Sequence, residues 1–158
     1  MRGPVVSKSC SMMNAPDLLN AHFHQMRADF AAWCALYAED AVMEYPYGAY
    51  AGVSSPLRGI ATIAKSVKSF LDDVRDFQVE DLKVYRVEGE DAVLAEFTAR
   101  ATVISTGRRY NQNYILYLRA EGGKICRAAR VFRRTACRRG VSTSAKRWIN
   151  HGPTYSRL

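Results

Sequence analysis

Apolar residues between positions 14 and 37 recur at alternating spacings of three and four, which predicts a helical segment. Asn14 is suited to cap its start, with Pro16 and Asp17 in the first turn. Asp29 is suited to cap a fresh turn, so two helices broken near Arg27 are an alternative to one long helix. In either case we expect one buried face, formed by Leu19, Phe23, Met26, Phe30, Trp33 and Tyr37.

A short strand and a second helix follow this segment. Residues 41–47 (AVMEYPY) are typical of a strand that ends at a proline and a glycine, and residues 48–58 form a loop rich in Gly, Ser and Pro. From Ile60 to Val74 apolar residues again repeat at helical spacing, and charged residues are available for the other face. This pattern predicts a surface helix that covers a core.

Three strand-like runs complete the periodic part of the chain, at residues 77–87, 91–105 and 108–120. Polar turns that contain glycine separate them, which favours consecutive antiparallel hairpins. In the middle run every second residue from Val93 to Val103 is apolar, so one face of this strand should contact the core. The order of elements predicts an α+β domain with its helices gathered on one face of a curved sheet.

The net charge of +8 comes entirely from the C-terminal residues. Residues 1–127 contain all 15 acidic and 15 of the 23 basic residues, whereas residues 128–158 contain the other eight basic residues. The tail shows no strand-like alternation, so we predict that residues 128–158 lie outside the domain of residues 14–127, and that residues 1–13 form a disordered leader. Nucleic-acid binding would depend wholly on this tail, and we do not expect it.

Several other classes of protein are disfavoured by the sequence. No apolar run is long enough to cross a bilayer and no signal peptide is evident, so we expect a soluble cytoplasmic protein without membrane contact. The four cysteines are far apart and predict free thiols. His22 and His24 point in different directions on a helix, without a carboxylate at ligand spacing, so we expect no metal site.

Three segments resemble successive signatures of the SnoaL-like proteins of the NTF2-like superfamily: YAEDAVMEYPYG, LRGIATIAKSVKSFL and TGRRYNQNYILYLRAEGGKI. The resemblance spans residues 15–127 and implies an NTF2-like cone, in which helices pack on the concave face of a curved antiparallel sheet around a hydrophobic pocket. Similar proteins include polyketide cyclases, phenazine-biosynthesis proteins and ketosteroid isomerases. The resemblance therefore implies a small hydrophobic carbonyl ligand, a homodimer and a cofactor-free isomerase or cyclase; a non-catalytic ligand-binding or dimerisation module is the alternative.

The acidic residues of these enzymes are missing at the matching positions. Tyr45 and Ile115 stand where ketosteroid isomerases carry their catalytic base and their hydrogen-bonding acid, so that activity is disfavoured. Cyclases tend to keep an acid in an Arg-Glu-aromatic sequence on the final strand, where this chain reads ICRAARVFRRTACRRG. Codons read one base later from Ala128 permit Leu-Arg-Glu-Tyr-Phe, and we therefore hypothesise a frameshift in the coding DNA.

Tyr45 and Glu96 are the candidates for catalysis. Tyr45 and Tyr47 flank a proline at a strand end, where a phenol could donate a hydrogen bond to a ligand carbonyl, or could simply lie at the rim of the core. Glu96 shares the semi-polar face of its strand with Arg100. Either Glu96 is a buried acid with a raised pKa, or it forms a solvated ion pair, which is the ordinary outcome.

Five further residues are candidates for lining the ligand pocket together with Tyr45 and Tyr47. Tyr110, Gln112 and Tyr114 share one face of a strand, where they could contact a ligand or bury as ordinary strand aromatics. Trp33 and Tyr37 lie four residues apart on the predicted helical face, and either form a pocket wall or belong to the plain core.

Overall fold

The protein is described by a computed structural model over residues 12–48 and 54–132, which form three helices and six strands. The helices are α1 (Ala15–Ala28), α2 (Phe30–Ala35) and α3 (Ile60–Asp72). The strands are β1 (Tyr37–Glu44), β2 (Leu57–Arg58), β3 (Val74–Arg86), β4 (Ala92–Val103), β5 (Arg109–Glu121) and β6 (Lys124–Phe132).

Two side-chain caps divide the first helical segment, as the sequence allowed. The Oδ1 atom of Asn14 accepts from the backbone N–H of Asp17 at 3.1 Å, and Oδ1 of Asp29 accepts from the N–H of Ala32 at 3.0 Å. Each cap satisfies a donor that the first turn of a helix leaves free. The buried face of α1 is rotated from the predicted one, and it consists of Ala15, Leu18, Leu19, His22 and Met26.

The six strands form one sheet in the order β2-β1-β6-β5-β4-β3, with helices on one face. All neighbouring strands are antiparallel except β1 and β6, which run parallel. The predicted α+β class is confirmed, with this parallel pair as the departure from a purely antiparallel sheet. The spacing predicted that Tyr37 belongs to the first helical segment, and this is wrong. Tyr37 begins β1, because α2 ends at Ala35.

The last described strand, β6, lies inside the sheet, between β1 and β5. It continues to Phe132, beyond the boundary at residue 127 that the charge pattern predicted. Ala128 is 1% exposed and faces the core. Residues 133–158 and 1–11 lie outside the described residues, so the disordered leader, the rest of the tail and the frameshift stay predictions.

The core fills the space between the helices and the inner face of the sheet. The inward residues of β4 alternate as predicted, and Val93, Ala95, Phe97 and Ala99 are buried. Within the described residues Cys34 and Cys126 are free thiols and no group of side chains could hold a metal ion. None of the described helices is both long enough and apolar enough to span a membrane.

Candidate functional site

Seven side chains converge on the inner face of the sheet and form what we term the polar cluster: His22, Trp33, Tyr37, Tyr45, Tyr110, Tyr114 and Arg130. Helices α1 and α2 supply the first two side chains. Strands β1, β5 and β6 supply the others, except Tyr45, which directly follows the end of β1. Residues from both ends of the described chain meet here because β6 pairs with β1.

His22 is at the centre of the cluster and is 1% exposed. The indole N–H of Trp33 donates to its Nδ1 atom at 3.0 Å, and the Tyr37 hydroxyl lies 3.0 Å from the same nitrogen. On the other side of the ring, Nη2 of Arg130 lies 2.9 Å from Nε2. Both ring nitrogens therefore lie next to groups from other elements.

Arg130 reaches the cluster because of an irregularity in β6. The pairing with β5 shifts between Ile125 and Arg127, so that Ile125 and Ala128 both face inward although they are three residues apart. After this bulge, alternation places Arg130 and Phe132 on the inner face, opposite Leu116 and Tyr114 of β5.

The tyrosines form the other side of the cluster. The hydroxyls of Tyr110 and Tyr114 are hydrogen-bonded to each other, and the Tyr45 hydroxyl donates to Sδ of Met43 at 3.2 Å. The Tyr114 ring stacks on Phe97, with ring centroids 5.2 Å apart. Tyr110, Tyr114 and Arg130 are half-buried, so this side of the cluster retains accessible surface.

Burial sets the protonation of the cluster. Burial, and secondly the charge of Arg130, hold the pKa of His22 well below its usual value, so the imidazole is neutral at physiological pH. Burial raises the pKa of Tyr114 to about 12 and the pKa values of Tyr37, Tyr45 and Tyr110 above the ordinary value for a phenol. All four phenols therefore keep their protons and can donate hydrogen bonds.

The charge of Arg130 has no acidic partner within the described part of the chain. None of the ion pairs there involves Arg130, and no described Asp or Glu is buried. Its Nε atom is buried and lacks a hydrogen-bond partner among the described residues. Arg130 is thus a half-buried cation with a buried Nε atom, and it is surrounded by neutral groups, of which four are tyrosines.

Five of the seven pocket residues predicted from the sequence lie in the polar cluster, and two do not. Tyr47 is 60% exposed, beyond the end of β1. Gln112 occupies the inner face of β5 between Tyr110 and Tyr114, opposite Ala99, and is half-buried.

Glu96 is not brought to the cluster because of the alternation of β4. Its neighbours Ala95 and Phe97 are buried in the core, so the Glu96 side chain lies on the outer face of the sheet. The Nε atom of Arg100 pairs with Glu80 of β3 at 3.1 Å, which leaves the ion pair with Glu96 unformed.

Two cluster residues, His22 and Arg130, were not selected from the sequence as site residues. A signal existed for His22, because it lies three residues after Leu19 and four before Met26, within the buried stripe of α1. Arg130 gave no such signal, since the bulge in β6 breaks the two-residue period that would have placed it on the inner face.

A second concave feature lies away from the cluster. This groove, of about 220 Å³, lies on the side of the helices and is lined by Met26, Arg27, Phe30, Lys68, Leu71 and Val74. Its two charged side chains are exposed and already have partners, because Arg27 donates to the carbonyl of Phe77 and Lys68 pairs with Asp72. The polar cluster is therefore the better candidate for a site.

Comparisons with known proteins agree with this architecture. The family model of the SnoaL-like domain matches residues 18–128. The uncharacterized protein YesE of Bacillus subtilis (strain 168) is 32% identical over 104 residues, which cover 66% of this chain and 70% of that protein. The crystal structure of a provisionally named isomerase from Bacillus subtilis has a TM-score of 0.68 and 28% identity, and the match covers 76% of this chain and 86% of the other.

A second solved structure extends the likeness in fold. It is that of a provisionally named polyketide cyclase from Pseudomonas putida KT2440, with a TM-score of 0.65, 22% identity, and coverage of 75% of this chain and 90% of the other. Further matching structures are described as NTF2-like or as having a ketosteroid isomerase-like fold. The resemblance inferred from the sequence is thereby confirmed.

Proposed function

Because this chain belongs to the SnoaL-like family, we propose that the polar cluster binds a small hydrophobic organic compound through a carbonyl oxygen, and that the protein acts on it as a cofactor-free isomerase or cyclase. The observation that carries the proposal is the convergence of hydrogen-bond donors beside aromatic surface on the concave side of the sheet. This combination matches a ligand with an apolar body and one oxygen acceptor.

Enolisation is the chemistry that these donors would assist. When a proton leaves the carbon next to a carbonyl, negative charge develops on the oxygen, and donors aimed at that oxygen stabilise the transition state. Tyr110, Tyr114 and Arg130 retain accessible surface, and their donors stay protonated at neutral pH. One such donor typically contributes about 100- to 1,000-fold to the rate.

The binding-only alternative is favoured by a different observation. Proton abstraction requires a base, and no described carboxylate is buried beside the cluster. The Nδ1 lone pair of His22 already accepts from Trp33. A protein that binds the carbonyl compound without converting it would need neither a carboxylate base nor a free lone pair on His22.

One experiment distinguishes the two candidates. Binding of 2-tetralone is followed by quenching of Trp33 fluorescence in a Trp148→Phe background, and exchange of its α-protons in D₂O is followed by ¹H NMR. We expect saturable binding and accelerated exchange, with exchange about 100-fold slower in Tyr114→Phe. The matched control is Tyr117→Phe. Tyr117 lies on the outer face of the same strand as Tyr114, and its hydroxyl donates to Glu90.

The possible outcomes distinguish an enzyme from a binding module. Binding without accelerated exchange supports the binding module, and equal exchange rates in the two tyrosine variants refute the role of Tyr114. Absence of binding by 2-tetralone and by related cyclic ketones refutes the proposal as a whole.

The proposal includes a homodimer in the cytoplasm. On the outer face of the sheet Tyr85 and Ile115 are 47% and 43% exposed, and cross-strand pairing aligns Tyr85, Leu94 and Tyr117 in one row. An apolar row of this kind is suited to pairing with its own copy. Light scattering should give twice the monomer mass, and Ile115→Asp should shift it towards the monomer; a monomer at all concentrations would contradict this.

A further inference from the structure

We propose that Arg130 anchors the carboxylate of a small hydrophobic acid in the polar cluster, where His22 and the tyrosines supply further hydrogen bonds. The inference rests on the proposed ligand-binding function and specifies the charge of the ligand. It follows from three features of the cluster, namely an unpaired cation, a conflict between donors and an adjacent aromatic surface.

The unpaired cation is the guanidinium of Arg130. Arginine stays charged in proteins, and a buried charge is ordinarily compensated by an opposite charge. Arg130 has no described acidic partner, and its buried Nε–H has no acceptor. A carboxylate matches this arrangement because its two oxygens can accept from two N–H groups of one guanidinium.

The conflict between donors lies at His22. The atom next to Nδ1 is Nε1 of Trp33, and the atom next to Nε2 is Nη2 of Arg130; indole and guanidinium nitrogens can only donate. A neutral imidazole has one accepting nitrogen, so whichever tautomer it adopts, one of these contacts joins two donors. No protonation state of His22 satisfies both contacts.

An anion resolves this conflict without changing the fold. With Nδ1 accepting from Trp33, the proton of His22 is on Nε2 and points towards Arg130. An oxygen that accepts from both Nε2–H of His22 and the guanidinium would separate the two donors and neutralise the charge. The half-buried hydroxyls of Tyr110 and Tyr114 can donate to the second oxygen.

The aromatic surface indicates the remainder of the ligand. The ring of Tyr114 lies between Phe97 and Phe132, with centroid distances of 5.2 Å and 5.8 Å. Phe132 is two residues beyond Arg130 on the same face of β6. A compact aromatic or alicyclic monocarboxylate could therefore place its charge at Arg130 and its ring against these side chains.

The test compares benzoate with benzamide, which has nearly the same shape without the charge. Binding is measured from Trp33 fluorescence in the Trp148→Phe background of the full chain. We expect benzoate to bind at least tenfold more tightly than benzamide, and Arg130→Gln to weaken benzoate binding about 10- to 100-fold. Arg127→Gln is the matched control, because Arg127 lies on the same strand, is exposed and pairs with Glu44.

Equal binding of benzoate and benzamide by the parent protein would overturn the inference, and this comparison needs no variant that could misfold. Unchanged benzoate affinity in Arg130→Gln would also overturn it. If 2-tetralone binds and benzoate does not, the proposed function survives and the anion site is refuted. Binding of benzoate alone supports the anion site and contradicts the carbonyl ligand.

Discussion

Acid should destabilise this protein through His22, and the size of the effect can be worked out. The imidazole is buried between Trp33, Tyr37 and the charged Arg130, and its pKa in the folded state is well below the usual value. In the unfolded chain the pKa returns to about 6.5. Below this pH the unfolded state binds more protons than the folded state, so the free energy of unfolding falls as the pH falls.

The magnitude follows from the proton uptake of one group. Until the pH approaches the folded-state pKa, each pH unit below about 6.5 removes about 1.4 kcal/mol. Between pH 7.5 and pH 5.5 the contribution of His22 therefore falls by about 1.4 kcal/mol. This is a substantial fraction of the roughly 5–15 kcal/mol that stabilises a typical domain.

Urea denaturation at pH 7.5, 6.5 and 5.5 measures this loss. His22→Asn keeps an acceptor near Trp33 but cannot titrate, so the stability difference between this variant and the parent should change by about 1.4 kcal/mol across the series. His24→Asn, at an exposed position two residues along α1, is the control. A difference that stays constant with pH would refute a neutral, buried His22.

Three further predictions concern the fold and the reading frame of the coding DNA. Ala128→Lys should lower the free energy of unfolding by on the order of 3 kcal/mol, because an unpaired ammonium would enter the core beside Arg130. Ala129→Lys, on the outer face, should lower it far less, and urea denaturation of both variants checks the register of β6. Leu118→Ala should cost about 2–5 kcal/mol by leaving a cavity, while Leu82→Ala at a 39% exposed site should change the midpoint little; thermal melts give both values. Sequencing of codons 120–158 and an intact mass test the frameshift: the hypothesis predicts Leu-Arg-Glu-Tyr-Phe from position 128, whereas an unshifted reading frame and a mass of 17.7 kDa would contradict it and leave Arg130 in the cluster.

The elements that the sequence predicted well are those whose period is unbroken. The helices follow from their apolar spacing and from the caps at Asn14 and Asp29, and β4 follows from its strict alternation. Composition and period do not report which strands become neighbours, so the pairing of β1 with β6 was missed. The position of Tyr37 was also missed, because α2 ends before the helical spacing does.

The site was only partly predictable for related reasons. The aromatic members could be selected because large rings on one face of a strand are candidates for a pocket wall. His22 and Arg130 could not, since a polar residue on a buried stripe and a basic residue in a basic segment both have ordinary interpretations. Only their contact across 108 positions of the chain makes them a site.

The proposed frameshift would change the residue at position 130, inside the polar cluster. In the shifted reading, glutamate takes the place of Arg130, and its carboxylate would accept from the same donors that now oppose a guanidinium. The residues of the cluster thus favour an acceptor at this point, whether the chain or a ligand supplies it.

The interior location of β6, the last described strand, also affects how the chain can fold during its synthesis. β1 is made early, but its neighbour β6 is among the last described segments to emerge, and the pair closes a loop of more than eighty residues. Until then β1 and β5 both present open edges on the ribosome. A nascent chain that stalls before residue 132 would therefore be prone to aggregation and a natural client for chaperones.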